Sequence, residues 1–317
     1  MRRMTVGALD VGTASETLLD RVYEIMARCH AEAAPAERYR SRSEAEAFLR
    51  HPPELEAREY WTAEQAGECV GFAQLAVPPG SPTSRMEILV HPDSRRTGAG
   101  TALLDSVRAR ARAHGAQLLI GRHSTEAGAL FAAAAGGVDA EREVRSLLQL
   151  PLAEELELRP VRGYSLRSWV GPTPAALLDS FAHAREAIND APGDEPAVWD
   201  GARVRDLEAA LERRNRDVRV TVALDEQGDV VAFTELRVSR ATGSLANTED
   251  TAVVRDHRRR GLGFWVKLES LRRLEQERPD VGLVTTTNAE QNDAIIRVNR
   301  ALGFSPVAVH TTCVLRV

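Results

Sequence analysis

Hydrophobic positions along this chain alternate between spacings of two and spacings of three to four, and the alternation runs through the same order twice. In the first half, residues 5–9 read as a strand. Ser15 then stands as an N-cap before apolar Leu18, Val22, Ile25, Met26 and Cys29 at helical spacing. A second short helix is predicted over 43–49, and 58–63 with 69–77 read as a β-hairpin through Gln65-Ala66-Gly67. Residues 85–90 form a further strand, a helix spans 98–114 with Gly115 at its end, and 117–120 reads as a buried strand. In the second half, 151–160 is a linker candidate, 164–170 a strand, and 174–189 a helix with Pro174 near its first turn. A turn-rich acidic stretch, 189–196, precedes Trp199 and a long charged helix. The hairpin 218–224 with 229–237 turns through Asp225-Glu226-Gln227-Gly228. Strands at 245–254 and 282–287, helices at 264–277 and 292–302, and a closing strand at 307–315 complete the pattern, which predicts a mixed α/β chain.

One junction is repeated. Residues 251–254, strand-like, lead into Arg258-Arg259-Arg260-Gly261-Leu262-Gly263 and then a helix. Val90 leads likewise towards Arg95-Arg96-Thr97-Gly98-Ala99-Gly100, and Gly98 matches Gly261 at a spacing of 163 (261 − 98), as Asp93 matches Asp256 and Arg95 matches Arg258. A strand-to-helix turn of this kind leaves backbone N–H groups pointing outward, and the positive end of the helix adds to their attraction for an anion. The glycines remove the Cβ atoms that keep a ligand off the backbone. A phosphate or pyrophosphate fits such a turn. The spacing is neither that of the dinucleotide fingerprint nor that of the phosphate loop ending in Gly-Lys-Ser/Thr. Repetition at a domain-sized interval argues for a duplicated domain.

Both halves resemble the GNAT superfamily of N-acetyltransferases, in which an Arg/Gln-x-x-Gly-x-Gly/Ala segment binds the pyrophosphate of acetyl-CoA. The second half adds a run from Asn292 to Asn299 and on to Leu302-Gly303-Phe304, which resembles that family's later helix and its closing Leu-Gly-Phe. The resemblance implies two tandem GNAT folds, 1–152 and 158–317. Each is an α/β (α+β) domain with a mixed, mostly antiparallel twisted sheet flanked by helices and a splayed strand pair for acetyl-CoA. It implies cofactor contacts at Val253, Val254, Arg258, Arg259, Arg260, Gly261, Leu262, Gly263, Asn292 and Asn299. In the first half the implied contacts are Val90, Arg95, Arg96, Thr97, Gly98, Ala99 and Gly100. There the pattern weakens: Phe131 falls roughly where many relatives carry a tyrosine, and no Leu-Gly-Phe follows. The first half is therefore expected to be partly degenerate and non-catalytic. The tandem arrangement is similar to mycothiol synthase and to acetyltransferases of actinobacterial antibiotic pathways.

Length, 317 residues, suits two domains of ordinary size. Hydrophobic residues at 43% and charged residues at 27% place the chain among globular proteins. A net charge of −5 speaks against a nucleic-acid partner, and no run approaches the roughly 20 apolar residues of a membrane span. Cys29, Cys69 and Cys313 are far apart and not in metal-ligand spacing, so no metal and a reduced, cytoplasmic setting are expected. Among the 41 lysines and arginines only Lys267 is lysine, which discounts arginine clusters as evidence of function.

Acetyl transfer to an amine needs a base to free the nitrogen, a polarised carbonyl and a proton for the leaving thiolate. Glu249 and Asp250 are the candidate bases. On a regular strand they point to opposite faces, and the offset of 163 pairs Asp250 with Glu87, which favours Asp250. Glu235 is a reserve. Backbone N–H groups near Val253 are implied as carbonyl polarisers. Asn299 stands where many relatives carry a tyrosine, and an amide supplies no proton. The acids of 189–196 and Trp199 are candidates for holding a cationic acceptor, and His257 reads as a turn residue. The expected activity is transfer of acetyl from acetyl-CoA to the primary amine of a small molecule, by direct attack in a ternary complex, in specialised-metabolite biosynthesis or antibiotic self-resistance. A non-catalytic acyl-CoA-binding sensor or scaffold and a protein N-acetyltransferase are the alternatives. A monomer or homodimer is expected.

Overall fold

The computed structural model describes residues 4–37, 39–50, 57–78, 80–190, 197–213, 216–240 and 245–317. The chain divides into two compact units, Met1–Arg142 with Val307–Val317, and Glu143–Pro306. In the first, β1 (Met4–Ala8) is followed by α1 (Glu16–Ala33), α2 (Arg42–Arg50), β2 (Ala57–Gln65), β3 (Glu68–Val77), β4 (Thr83–Val90), α3 (Ala99–Ala113), β5 (Leu118–His123), α4 (Glu126–Ala134) and the start of β6 (Val138–Gln149), whose residues from Glu143 belong to the second. The Ser15 hydroxyl accepts from Leu18 N–H at 3.3 Å and so caps α1, whose Leu19, Val22, Ile25 and Met26 are buried. The β2–β3 hairpin closes through Ala66 and Gly67, both left-handed, as a two-residue turn between twisted strands requires.

The second unit runs through β7 (Ser165–Val170), α5 (Leu178–Arg185), α6 (Gly201–Arg213), β8 (Arg216–Leu224), β9 (Val230–Ser239), β10 (Leu245–Val253), α7 (Leu262–Glu277), β11 (Leu283–Ala289) and α8 (Asp293–Ala301), after which β12 (Ser305–Arg316) begins. A short 3-10 turn, Glu186–Asp190, extends α5. Phe181 of α5 stacks edge-on against Trp169 and Phe233 in the centre of this unit.

The two sheets have one plan. Strand order is β1-β2-β3-β4-β5-β12 in the first unit and β7-β8-β9-β10-β11-β6 in the second. In each, four antiparallel strands lead to a parallel pair, β4 with β5 and β10 with β11. Both parallel pairs are short. β4 and β5 bond only through Thr83–Arg85 and Leu118–Ile120, and β10 and β11 only through Leu245–Thr248 and Leu283–Thr286. Beyond those points the strands part, which is the splay that the resemblance implied.

One expectation is corrected. The strand at 307–315 does not close the second sheet: it pairs with β5, from Thr311 against His123 to Arg316 against Leu118. The second sheet is closed instead by residues 143–149 of β6 against β11, from Glu143 against Ala289 to Gln149 against Leu283. Alternation identifies a strand and its buried face, but β5 and β11 offer equivalent free edges, and nothing local decides between them. No helix among the described residues is long and apolar enough to cross a membrane.

Candidate active site

The two glycine turns have the same backbone. Arg96 and Gly98 have φ of 63° and 93°, and Arg259 and Gly261 have φ of 61° and 81°. A Cβ on either Gly98 or Gly261 would meet nothing within 4 Å, so it is the left-handed conformation and not lack of space that calls for glycine. Neither α3 nor α7 receives a side-chain N-cap, and the N–H groups of each first turn are left for a ligand. Gly263 lies over the end of β10, where a Cβ would sit 3.6 Å from Val253 Cγ2. The parted strands beside such a turn fit a pyrophosphate followed by an extended arm, as acetyl-CoA carries.

The arginine side chains contribute less than the sequence implied. Arg258 turns back, giving Nε to Val253 C=O at 2.9 Å and Nη2 to Asp190 at 2.5 Å, while Arg255 also reaches Asp190. These hydrogen bonds hold the Asp190 carboxyl below the usual range, that of Arg258 first. Arg95 is paired in the same manner with Glu32 on α1. Val254 donates its N–H to Val231, so that group is not free for a ligand. His257 bonds Tyr164 Oη at 2.9 Å, as a turn residue would.

The acids form one network. β9 and β10 pair Leu236 with Thr248 and Thr234 with Thr251, so Glu249 and Asp250 together face Glu235 across a β-bulge. β4 lacks the extra residue: Ala73–Ile88, Gln74–Glu87 and Leu75–Met86 are in unbroken register. This overturns the expectation that only one of Glu249 and Asp250 faces the cleft. It also removes the offset argument for Asp250, since counting from the other side of the bulge pairs Glu87 with Glu249.

Asp250 Oδ2 accepts from Arg185 Nη2 at 2.6 Å, and Glu235 accepts from Arg185 Nη1 at 3.0 Å and from Arg237 at 2.7 Å. Arg237 also stands 3.6 Å from Glu249. Glu235 is 2% exposed and gripped on both oxygens, which removes it as a base. The Glu249 carboxyl is pushed up, first by burial, against Arg237 and with help from Glu235 and Asp250.

Arg185 was missed by sequence reasoning. It is 2% exposed, and its guanidinium lies over Trp199 at 4.2 Å and near Phe181 and Phe233. Trp199 thereby packs on Arg185 and Arg203 instead of standing open for an acceptor. The signal was present in the sequence: Arg185 is four residues after Phe181, on the apolar stripe of α5. Of the acidic acceptor stretch, 191–196 lies outside the described residues.

Asn292 caps α8, accepting from Ile295 N–H at 3.3 Å, and so has a structural use. Asn299 is 3% exposed and donates Nδ2 to Asn288 Oδ1 at 2.8 Å. In the first unit Thr125 caps α4 and left-handed Gly136 ends it, as Asn292 and Gly303 do for α8. These markers align Ala132, not Phe131, with Asn299. Phe131 instead packs its ring against Gly100, 3.1 Å from where a Cβ would stand.

Residues 19–135 match the profile of the acetyltransferase (GNAT) family, so the match covers the first turn, although the second half carries the fuller motifs. The chain is 26% identical to a mycothiol acetyltransferase of Nocardiopsis dassonvillei over 294 residues, covering 81% of this chain and 82% of that protein. It is 29% identical to a mycothiol acetyltransferase of Mycolicibacterium vanbaalenii over 258 residues, covering 77% and 79%. Its fold superposes on a tandem GNAT protein from the clavulanic acid biosynthesis pathway with a TM-score of 0.79 at 27% identity, covering 99% and 98% of the two chains.

Proposed function

We propose that this chain, which belongs to the acetyltransferase (GNAT) family and carries its domain twice, uses the second unit to move an acetyl group from acetyl-CoA to the primary amine of a small molecule. The observation that carries the reading is the bulge in β10. It brings two carboxylates opposite Glu235 on the strand that leads to the phosphate turn at Gly261, and the first unit has no counterpart. Acetyl-CoA, when bound, supplies the activated acetyl group. Backbone N–H groups at 259–263 hold its phosphates, and the parted ends of β10 and β11 admit its arm.

An acceptor amine arrives mostly protonated, and Glu249 takes that proton at its carboxylate. A carboxyl lifted towards working pH is better matched to this task than one locked by an arginine. Asp250 and Glu235, both paired with Arg185, tie α5 to β9 and β10 and so hold the strands on which Glu249 stands. The names of the relatives, mycothiol acetyltransferases and a clavulanic acid pathway protein, support a soluble metabolite of specialised metabolism as acceptor. Three free, largely buried cysteines suit a reducing cytoplasm.

The test is release of free thiol from acetyl-CoA in the presence of amino sugars, aminoalkylphosphonates and cysteinyl conjugates. Turnover with one of these classes supports the reading. Binding of acetyl-CoA in calorimetry with no turnover of any amine would refute it in favour of a non-catalytic sensor.

A further inference from the structure

Lysine occurs once in this chain, at 267, and every other member of the 41 lysines and arginines is arginine. Where a fixed positive charge is needed, arginine serves here. A guanidinium does not lose its proton in a protein, whereas an amine does. Lys267 is 2% exposed, and its Nζ has no hydrogen-bond partner among the described residues. Burial lowers it from the ordinary 10.5 to about 7. Near neutral pH this amine is therefore present both with and without its proton.

Its place in the fold is specific. Lys267 is one helical turn beyond Gly263 on the same face of α7, the face that Gly263 lays against Val253 of β10. Nζ lies 5.3 Å from the centre of the Phe304 ring, and Phe304 N–H bonds Asn299 C=O. Asn299 in turn donates to Asn288, which is on β11 beyond its last bond to β10, and leaves Oδ1 unpartnered in the interior. Lys267 Nζ on α7 and Asn299 Oδ1 on α8 are thus two unsatisfied buried polar atoms linked through Phe304, and Asn299 reaches the strand that borders the gap between β10 and β11. Unsatisfied groups of this kind are costly to keep.

We propose that Lys267 is the proton donor for the departing sulfur, the task for which Asn299 has no proton. The inference rests on the second unit being the transferring one. As the acceptor nitrogen bonds the acetyl carbon and the carbon–sulfur bond breaks, Lys267 gives one Nζ proton to the sulfur. The sulfur leaves as a thiol, and the neutral amine regains a proton from water. Glu249 takes one proton from the arriving ammonium and passes it to water, then takes the second as the amide forms, so with Lys267 reprotonated from water the cycle releases one proton net.

A single lysine makes the test direct. Full-length protein labelled with [ε-13C]lysine gives one lysine signal, whose titration and response to CoA are read without assignment. The expected result is a signal that titrates near neutral pH and moves on CoA addition, with no movement in the Gly261→Glu variant. The Lys267→Met variant is expected to fold, to bind acetyl-CoA in calorimetry, and to lose about 100-fold or more in kcat with little change in KM. A signal indifferent to saturating CoA, or a Lys267→Met variant with kcat within about twofold of wild type, overturns the proposal and leaves Lys267 as packing. Absence of turnover in the wild type refutes the transferase reading instead. The label then still decides whether Lys267 meets the cofactor.

Discussion

Glu249 and Asp250 have nearly equal side-chain exposure, 35% and 34%, but different partners: one stands 3.6 Å from an arginine and the other is bonded to one at 2.6 Å. Glu249→Gln is therefore expected to lower kcat by about 10²- to 10⁴-fold, and to abolish an acid limb of kcat/KM that lies above the ordinary glutamate range. Asp250→Asn leaves Arg185 with one carboxylate and should show mainly as a loss of stability of the order of 1–3 kcal/mol, read in thermal melts. If Asp250→Asn abolished turnover while Glu249→Gln did not, the base would be misassigned. Lys267 gives a stability test of opposite sign. Its pKa is about 7 folded and close to 10.5 unfolded, so the unfolded chain holds more protons between those values. Wild-type stability should rise with pH across that window by roughly 1.4 kcal/mol per unit, a rise that denaturant melts of Lys267→Met should lack. The acids and the glycines were legible in the sequence because their chemistry is local. Arg185 was not, because arginine is this chain's default cation and only burial distinguishes it.

At the scale of elements, the strand, turn and helix around Gly261 were legible because the left-handed glycine and the change of hydrophobic period are local signals. The bulge in β10 was not, because one extra residue changes the facing of two side chains without changing composition. It accounts for the last step of the drift between the halves: Met86 and Thr248, before the bulge, are 162 apart, while Ile88 and Thr251, after it, are 163 apart. The two glycines of the turn should also respond in opposite ways. Gly261→Ala forces an alanine to φ of 81° and is expected to cost about 1–2 kcal/mol. Gly263→Ala adds a methyl at an ordinary 3.6 Å contact inside a helix, and should be neutral or stabilising by up to about 1 kcal/mol. Thermal melts of the two variants decide it, and equal losses would contradict the assignment.

At the scale of the whole molecule, the plan of the two sheets was readable from a doubled pattern, but the partner of each closing strand was not. Since 143–149 bonds β11 and 311–316 bonds β5, a fragment of 158–317 would lack its own sheet edge and carry a strand that belongs elsewhere. Expressed alone it is expected to aggregate, whereas 143–306 should give a dispersed amide spectrum; the reverse would contradict the pairing. The central claim is that acetyl transfer runs from the second unit. Its most direct test is the rate of thiol release from acetyl-CoA with an active amine, compared between Gly261→Glu and Gly98→Glu, each of which puts a carboxylate at one phosphate turn. Gly261→Glu is expected to lose turnover and Gly98→Glu to keep near wild-type kcat. Loss in Gly98→Glu with turnover kept in Gly261→Glu would contradict that claim.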